Sequence, residues 1–174
     1  MLPESAESVT ELQGLWHVAH TKARFEKAFA WDLHRKGIAY YLPMIERVRV
    51  SGGRKRRVLA PLFVSYVFFC GSDEDRYTAM TTNRLCQTIE VPDQPQLVEE
   101  LCFIEQALSG HAELDPYPFA VAGQRCRVIA GPMVGLVGTV VRREKLARLV
   151  LEISMLGQGV SLEIECDLLE PTDI

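Results

Sequence analysis

No apolar run in this 174-residue chain approaches the roughly 18–20 residues that a membrane-spanning helix needs, so no transmembrane helix is expected. The N-terminus is equally short of positive charge. Residues 1–13 carry Glu4, Glu7 and Glu11 without a Lys or Arg, whereas a secretory signal opens on a basic segment. A cytoplasmic protein with no membrane association is therefore expected. Cysteine is scattered rather than paired. Cys70, Cys86, Cys102, Cys126 and Cys166 are odd in number and never closer than sixteen residues, which excludes a Cys-x-x-Cys zinc knuckle or redox motif and predicts ordinary buried thiols.

The constellations an enzyme requires are missing as well. There is no Gly-x-Ser-x-Gly, no phosphate-binding loop, no His-Glu-x-x-His and no carboxylate pair set among apolar residues. His17 and His20 lie three apart in an expected strand and so point to opposite faces, which excludes a shared metal. Gly131-Pro132-x-x-Gly135-x-x-Gly138 is glycine-rich but sits between strands, with no helix N-terminus to hold a phosphate. The expectation is a protein that binds rather than catalyses, with no cofactor and no metal.

Charge is present, and it is unevenly placed. The net value is −4. Residues 14–84 hold thirteen Lys/Arg against six Asp/Glu, whereas residues 85–174 hold six against fourteen. A basic half hidden inside an acidic chain points to a polyanionic partner for that half alone.

The hydrophobic pattern predicts α+β organisation in two domains. A flexible acidic leader covers 1–13. Strand-like Leu15–His20 precedes a helical stripe over Lys22–Lys36, with Phe25, Phe29 and Leu33 on one face and Gly37 as its stop. Ile38–Pro43 reads as a strand, residues 45–59 as a projecting hairpin turning at Gly52-Gly53, and Pro61–Cys70 as the central strand. Asp73-Glu74-Asp75 opens a short helix ending near Asn83, Cys86–Val91 is another strand, and Pro95–Leu108 carries a helical stripe. The order β-α-β-β-β-α-β-α predicts an α/β sandwich on a mostly antiparallel sheet over 14–108. Residues 109–120 read as a linker. Short strands at Arg125–Ile129, Leu136–Val141, Leu149–Ile153 and Val160–Ile164 predict a small β-barrel over 121–174.

Gly123 to Val141, with turn glycines at Gly131, Gly135 and Gly138, resembles a KOW motif. Leu15-Trp16-His17-Val18, Phe25-Glu26, Leu33, Tyr41-Leu42-Pro43 and Pro61 to Phe68 resemble the N-terminal (NGN) domain of the NusG family of transcription elongation factors. The resemblance spans about residues 14–171 in the family's domain order. Val64-Ser65 departs from the usual Pro-Gly before the tyrosine, and Leu85 stands where glycine is frequent. These departures and the acidic C-terminal half lean toward a specialised, RfaH-like branch.

The resemblance implies an N-terminal domain that binds the clamp helices of RNA polymerase, suppresses pausing or termination and works as a monomer. His20, Phe63 and Tyr66 match polymerase-binding positions, although either aromatic could instead fill the core. Arg76 and Thr78 fall where specialised members touch the polymerase again. Lys22, Arg35 and Arg84 match positions that contact the non-template DNA strand. The run Arg54-Lys55-Arg56-Arg57 is expected to meet DNA or nascent RNA, because four adjacent cations repel one another without a polyanion. Met155 and Leu156 match the loop through which the C-terminal domain recruits Rho or a small-subunit ribosomal protein; the alternative is that they pack inside the barrel. The rival reading is an RNA-binding or ribosome-associated KOW protein.

Overall fold

The middle of the first sheet is strand β1 (Leu15–Thr21), whose residues are buried from Trp16 to Ala19. Helix α1 (Glu26–Arg35) follows it, then β2 (Ala39–Tyr41), β3 (Met44–Ser51), β4 (Arg54–Pro61), β5 (Tyr66–Gly71), α2 (Asp73–Met80) and β6 (Leu85–Glu90). Strands β2, β5, β1 and β6 lie side by side in that order, every neighbour antiparallel. The computed structural model describes residues 1–4, 6–117, 123–143 and 146–172, and the chain divides into two units, Met1–Gln94 and Pro95–Ile174.

Both faces of the first sheet are buried. Ala19, Tyr40, Val67 and Phe69 share one face and pack with Phe29, Ala30 and Leu33 of α1 and Ala79 of α2. Trp16, Val18, Phe68 and Cys70 on the opposite face are buried too. This two-sided burial explains the unbroken apolar run Val67-Phe68-Phe69-Cys70, in which neighbouring side chains point opposite ways. Burying a phenylalanine as fully as Phe29, Phe68 and Phe69 stabilises the fold by about 1.5–3 kcal/mol each.

Local chemistry corrects the expected boundaries. Helix α1 starts at Glu26, not Lys22, because Arg24 has a left-handed φ of 67° and Phe25 is the N-cap. Its stop is as expected: Gly37 takes a φ of 70°, and its N–H reaches the His34 carbonyl at 3.1 Å. Pro61–Cys70 is not one strand. Strand β4, the second arm of the hairpin, ends at Pro61, residues 62–65 turn, and β5 begins only at Tyr66; with its two arms counted separately, the hairpin gives one strand more than the expected order. Helix α2 begins where the acids predict, through a capping box in which Ser72 and Asp75 satisfy each other's backbone N–H groups, and ends at Met80. The acidic leader is tied down, with Val9 buried and the Met1 amino group bonded to the Leu42 carbonyl at 2.7 Å.

The second unit holds most of helix α3 (Gln94–Ser109), with Leu97, Leu101, Ile104 and Ala107 buried along one stripe. Strands β7 (Asp115–Tyr117), β8 (Gln124–Val128), β9 (Val137–Arg143), β10 (Leu146–Ile153), β11 (Gln158–Glu165) and β12 (Leu169–Pro171) form an antiparallel sheet ordered β12-β8-β9-β10-β11-β7. Part of the expected linker is therefore strand, since Asp115, Pro116 and Tyr117 pair with Ser161, Val160 and Gly159. Residues 118–120 of that linker lie outside the described residues. Gly135 adopts φ 92°, as a tight turn demands, whereas Gly138 serves close approach: a Cβ there would lie 2.6 Å from the Val150 carbonyl oxygen. Of the cysteines, only Cys70 and Cys126 are buried; Cys86 is exposed on β6.

Candidate functional site

Three loops meet at the end of β1 where His20 and Thr21 lie. The Thr21 N–H donates to the Ser65 carbonyl at 2.8 Å, and the Lys22 N–H to the Arg84 carbonyl at 2.9 Å. The ammonium of Lys22 donates to both the carbonyl and side-chain oxygens of Asn83, at 2.8 and 3.0 Å. Each loop contains one non-glycine residue in the left-handed region: Arg24 at φ 67°, Ser65 at 67° and Asn83 at 57°. Such conformations cost about 1–3 kcal/mol apiece and gather at functional sites.

Polar anchors hold this end together. Asp32, buried on α1, accepts from Arg84 Nε at 2.9 Å and from the Arg35 guanidinium at 2.6 Å. The Arg84 hydrogen bond, aided by that of Arg35, outweighs burial and holds the Asp32 carboxyl below its usual range. The Arg84 guanidinium also lies 5.2 Å from the centre of the Phe25 ring. The rings of His20 and Tyr66 stack at 5.1 Å, both half-buried. Thus five residues singled out from the sequence, His20, Lys22, Arg35, Tyr66 and Arg84, share one end of the sheet. Phe63 is a correction. It is only 2% exposed and sits edge-on to Phe68 at 6.0 Å, so it fills the core and offers no surface to a partner.

The hairpin of β3 and β4 forms its own two-stranded sheet, in register from Met44 opposite Pro61 to Ser51 opposite Arg54. Residues facing each other across an antiparallel pair share a face. One face therefore carries Arg47, Arg49, Arg54 and Arg56; the other carries Val48, Val50, Lys55, Arg57 and Leu59. Glu46, the hairpin's one acid, belongs to the second face and lies 3.6 Å from Arg57. The arginine face has no carboxylate of its own, and Arg49 stands directly opposite Arg56. The run at 54–57 is thus split between faces, and Arg47 and Arg49 join it. Their signal was alternation with Val48 and Val50, which marks the strand but says nothing of which partner-strand residues it faces.

The other expected positions belong to other elements. Arg76 on α2 turns back onto β6, 3.3 Å from the Thr88 hydroxyl and 3.8 Å from Glu90. Thr78 is half-buried; the helix instead exposes Tyr77 and Met80, at 70% and 51%. In the second unit Met155 and Leu156 sit in a short 3-10 turn, Ser154–Leu156, and neither is buried. That turn is held by Glu100, whose carboxylate accepts the Ser154 hydroxyl at 2.5 Å and its N–H at 3.1 Å. Burial pushes the Glu100 carboxyl upward, against the opposing pull of those bonds. Among the described residues no His, Cys, Asp and Glu group is placed to hold a metal ion, and no helix is long and apolar enough to cross a membrane.

The first unit is thus an antiparallel sheet with helices, and the second holds most of helix α3 and a further antiparallel sheet. The chain belongs to the NusG family: the family model described as transcription termination factor nusG matches residues 14–102. The solved structure of Thermotoga maritima NusG is similar to it, with 16% identity, a TM-score of 0.52, and coverage of 92% of this chain and 98% of that one. The MjSpt4:Spt5 complex also aligns, at 14% identity over 92% of this chain and 98% of that chain, with a TM-score of 0.30. No curated protein matches the sequence. The chain is thus an α+β protein of a transcription-factor family, with an N-terminal NGN domain and a C-terminal β domain.

Proposed function

We propose that the protein is a transcription elongation or antitermination factor, non-enzymatic and cytoplasmic, that rides on RNA polymerase and touches nucleic acid through its N-terminal unit. The observation that carries this reading is the arginine face of the hairpin, with Arg47, Arg49, Arg54 and Arg56 aligned and no hairpin carboxylate on that face. Like charges directly opposite one another destabilise a strand pair, so the arrangement costs the isolated hairpin stability that a phosphate backbone returns. An antiparallel ribbon of this width fits the DNA major groove, and arginine contacts phosphates in fixed, forked geometry.

The loop cluster supplies the second contact. His20 and Tyr66 offer aromatic area with polar tips for the clamp helices. Lys22 and Arg35 face outward beside them and suit the non-template strand, while Arg84 is spent largely on Asp32 and Phe25. Arg76 and Thr78 are the weaker candidates for a further polymerase contact. In the C-terminal domain, read as KOW, the half-exposed Met155 and Leu156 are the recruitment point for Rho or a small-subunit ribosomal protein. The departures at Val64-Ser65 favour a specialised, RfaH-like paralogue.

The test is elongation by purified bacterial RNA polymerase on a paused template, with and without the full-length protein. Shortened pauses that are lost with the Tyr66→Ala variant support the reading. Unchanged pausing, with free RNA retarded in a gel, favours the ribosome-associated alternative.

A further inference from the structure

Strand β11 is paired along its whole length with β10, from Gln158 opposite Ile153 to Glu165 opposite Leu146. On its other side, among the described residues, β7 pairs with Gly159, Val160 and Ser161. Pro116 lies opposite Val160 and has no N–H to give, so the ladder bonds on that side fall to Gly159 and Ser161. The backbone groups next in line on the same side are those of Glu163 and Glu165. Among the described residues no strand pairs with them there. The chain before β7 does not continue the ladder. It swings away past His111, which holds a left-handed φ of 59°, and leaves a cleft of about 600 Å³ beside the free edge. Glu113, Asp115, Glu163, Arg148, His111 and Met133 are among its lining residues. Arg148 is already paired with Glu163 at 3.5 Å.

We infer that this cleft is a docking site for an extended basic segment of a partner protein, added as one more strand along Glu163 and Glu165. An unpaired strand edge is a template for another chain, and strand addition takes its affinity from main-chain hydrogen bonds and its selectivity from alternate side chains. The charge chooses the occupant. Glu113, Asp115, Glu163 and Glu165 surround the edge with one arginine and one histidine among them, which suits lysine or arginine at every second position and repels nucleic acid. The edge is free for about two ladder pairs beyond β7, so a segment of about four to six residues fills it.

The test is titration of the ¹⁵N-labelled full-length protein with a seven-residue peptide of alternating lysine and valine. The inference expects the amides of Glu163 and Glu165 to shift and to exchange hydrogen at least tenfold more slowly when the peptide is bound. A peptide N-methylated at alternate residues, which cannot complete the ladder, should bind at least tenfold more weakly. The Glu113→Gln and Glu163→Gln double variant, checked for an unchanged spectrum, should also weaken binding severalfold at low salt. Four outcomes would overturn the inference: no shift at millimolar peptide, binding indifferent to N-methylation, an equal response to a glutamate–valine peptide, or shifts that follow protein concentration without peptide. The last would mean that the edge pairs with a second copy of the chain.

Discussion

The buried carboxylate of Glu26 accepts the backbone N–H of Ser65 at 2.7 Å, across thirty-nine residues of sequence. Ser65 needs that support because it holds φ 67° where an L side chain is strained. The bond fastens the turn between β4 and β5 to the first turn of α1. It keeps the Ser65 carbonyl in place for Thr21 and Tyr66 beside His20. Removing the acceptor in Glu26→Ala leaves a part-buried N–H unsatisfied and should cost about 1–3 kcal/mol in urea unfolding. Ser65→Gly relieves the strain and should be neutral or stabilising by up to about 1 kcal/mol, whereas the β-branched Ser65→Val should destabilise by more than that.

Arg84 and Arg35 share Asp32 but differ in exposure, so their variants should separate stability from binding. Arg84→Ala strips the buried carboxylate of its main partner and should destabilise the fold by about 1–3 kcal/mol. Arg35 is largely exposed; Arg35→Ala should change stability by less than about 1 kcal/mol while weakening binding to single-stranded DNA. Chemical unfolding and fluorescence anisotropy on the same preparations check both arms.

If the hairpin's arginine face meets phosphates, its salt dependence will show it. Each phosphate contact removed should lower the slope of log K against log salt by about one. Arg49→Gln, Arg54→Gln and Arg56→Gln should therefore lower it stepwise on a duplex DNA probe, and Arg49→Gln should also firm the hairpin by a few tenths of a kcal/mol through loss of the Arg49–Arg56 opposition. Replacing Val48 or Val50 on the other face should leave the slope unchanged.

Acid should unfold the first unit in two stages. His17 is buried against Phe69, and burial first, then the charge of Arg76, lowers its proton affinity. The unfolded chain therefore takes up a proton below about pH 6.5 that the folded chain resists, and stability falls from that pH downward. Asp32 is depressed by its arginines, so its contribution is intact above about pH 4 and is lost as pH falls toward its folded value. His17→Phe should flatten the dependence between about pH 6.5 and 5 and leave the loss near pH 4, as thermal melts across pH would reveal.

Much of this molecule was legible as a string of residues. The stripe of Phe29 and Leu33, the acids at 73–75 that open α2, the stop at Gly37 and the Gly52-Gly53 turn each state a local preference that the fold obeys. The misread places are those where distant backbone decides. Pro61 to Cys70 looks like one strand because its composition is uniformly apolar. Only the pairing of β5 with β1, and the bond from Glu26 to Ser65, show that the chain turns at 62–65. The stretch 109–120 looks like a linker because Pro116 and its polar neighbours have no period of their own. Strand β11 recruits three of them.

For function the division is similar. Sequence alone determined the basic character of residues 14–84, the want of catalytic spacing and the family resemblance, since these depend only on which residues are present and in what order. The tertiary structure decided what each charge is free to do. It pairs Arg84 with a buried Asp32, turns Arg76 onto β6, sinks Phe63 into the core, and sorts Arg47, Arg49, Arg54 and Arg56 onto one face. Register and burial arise from contacts between segments far apart in the chain, and a residue's identity does not say which neighbour will reach it first.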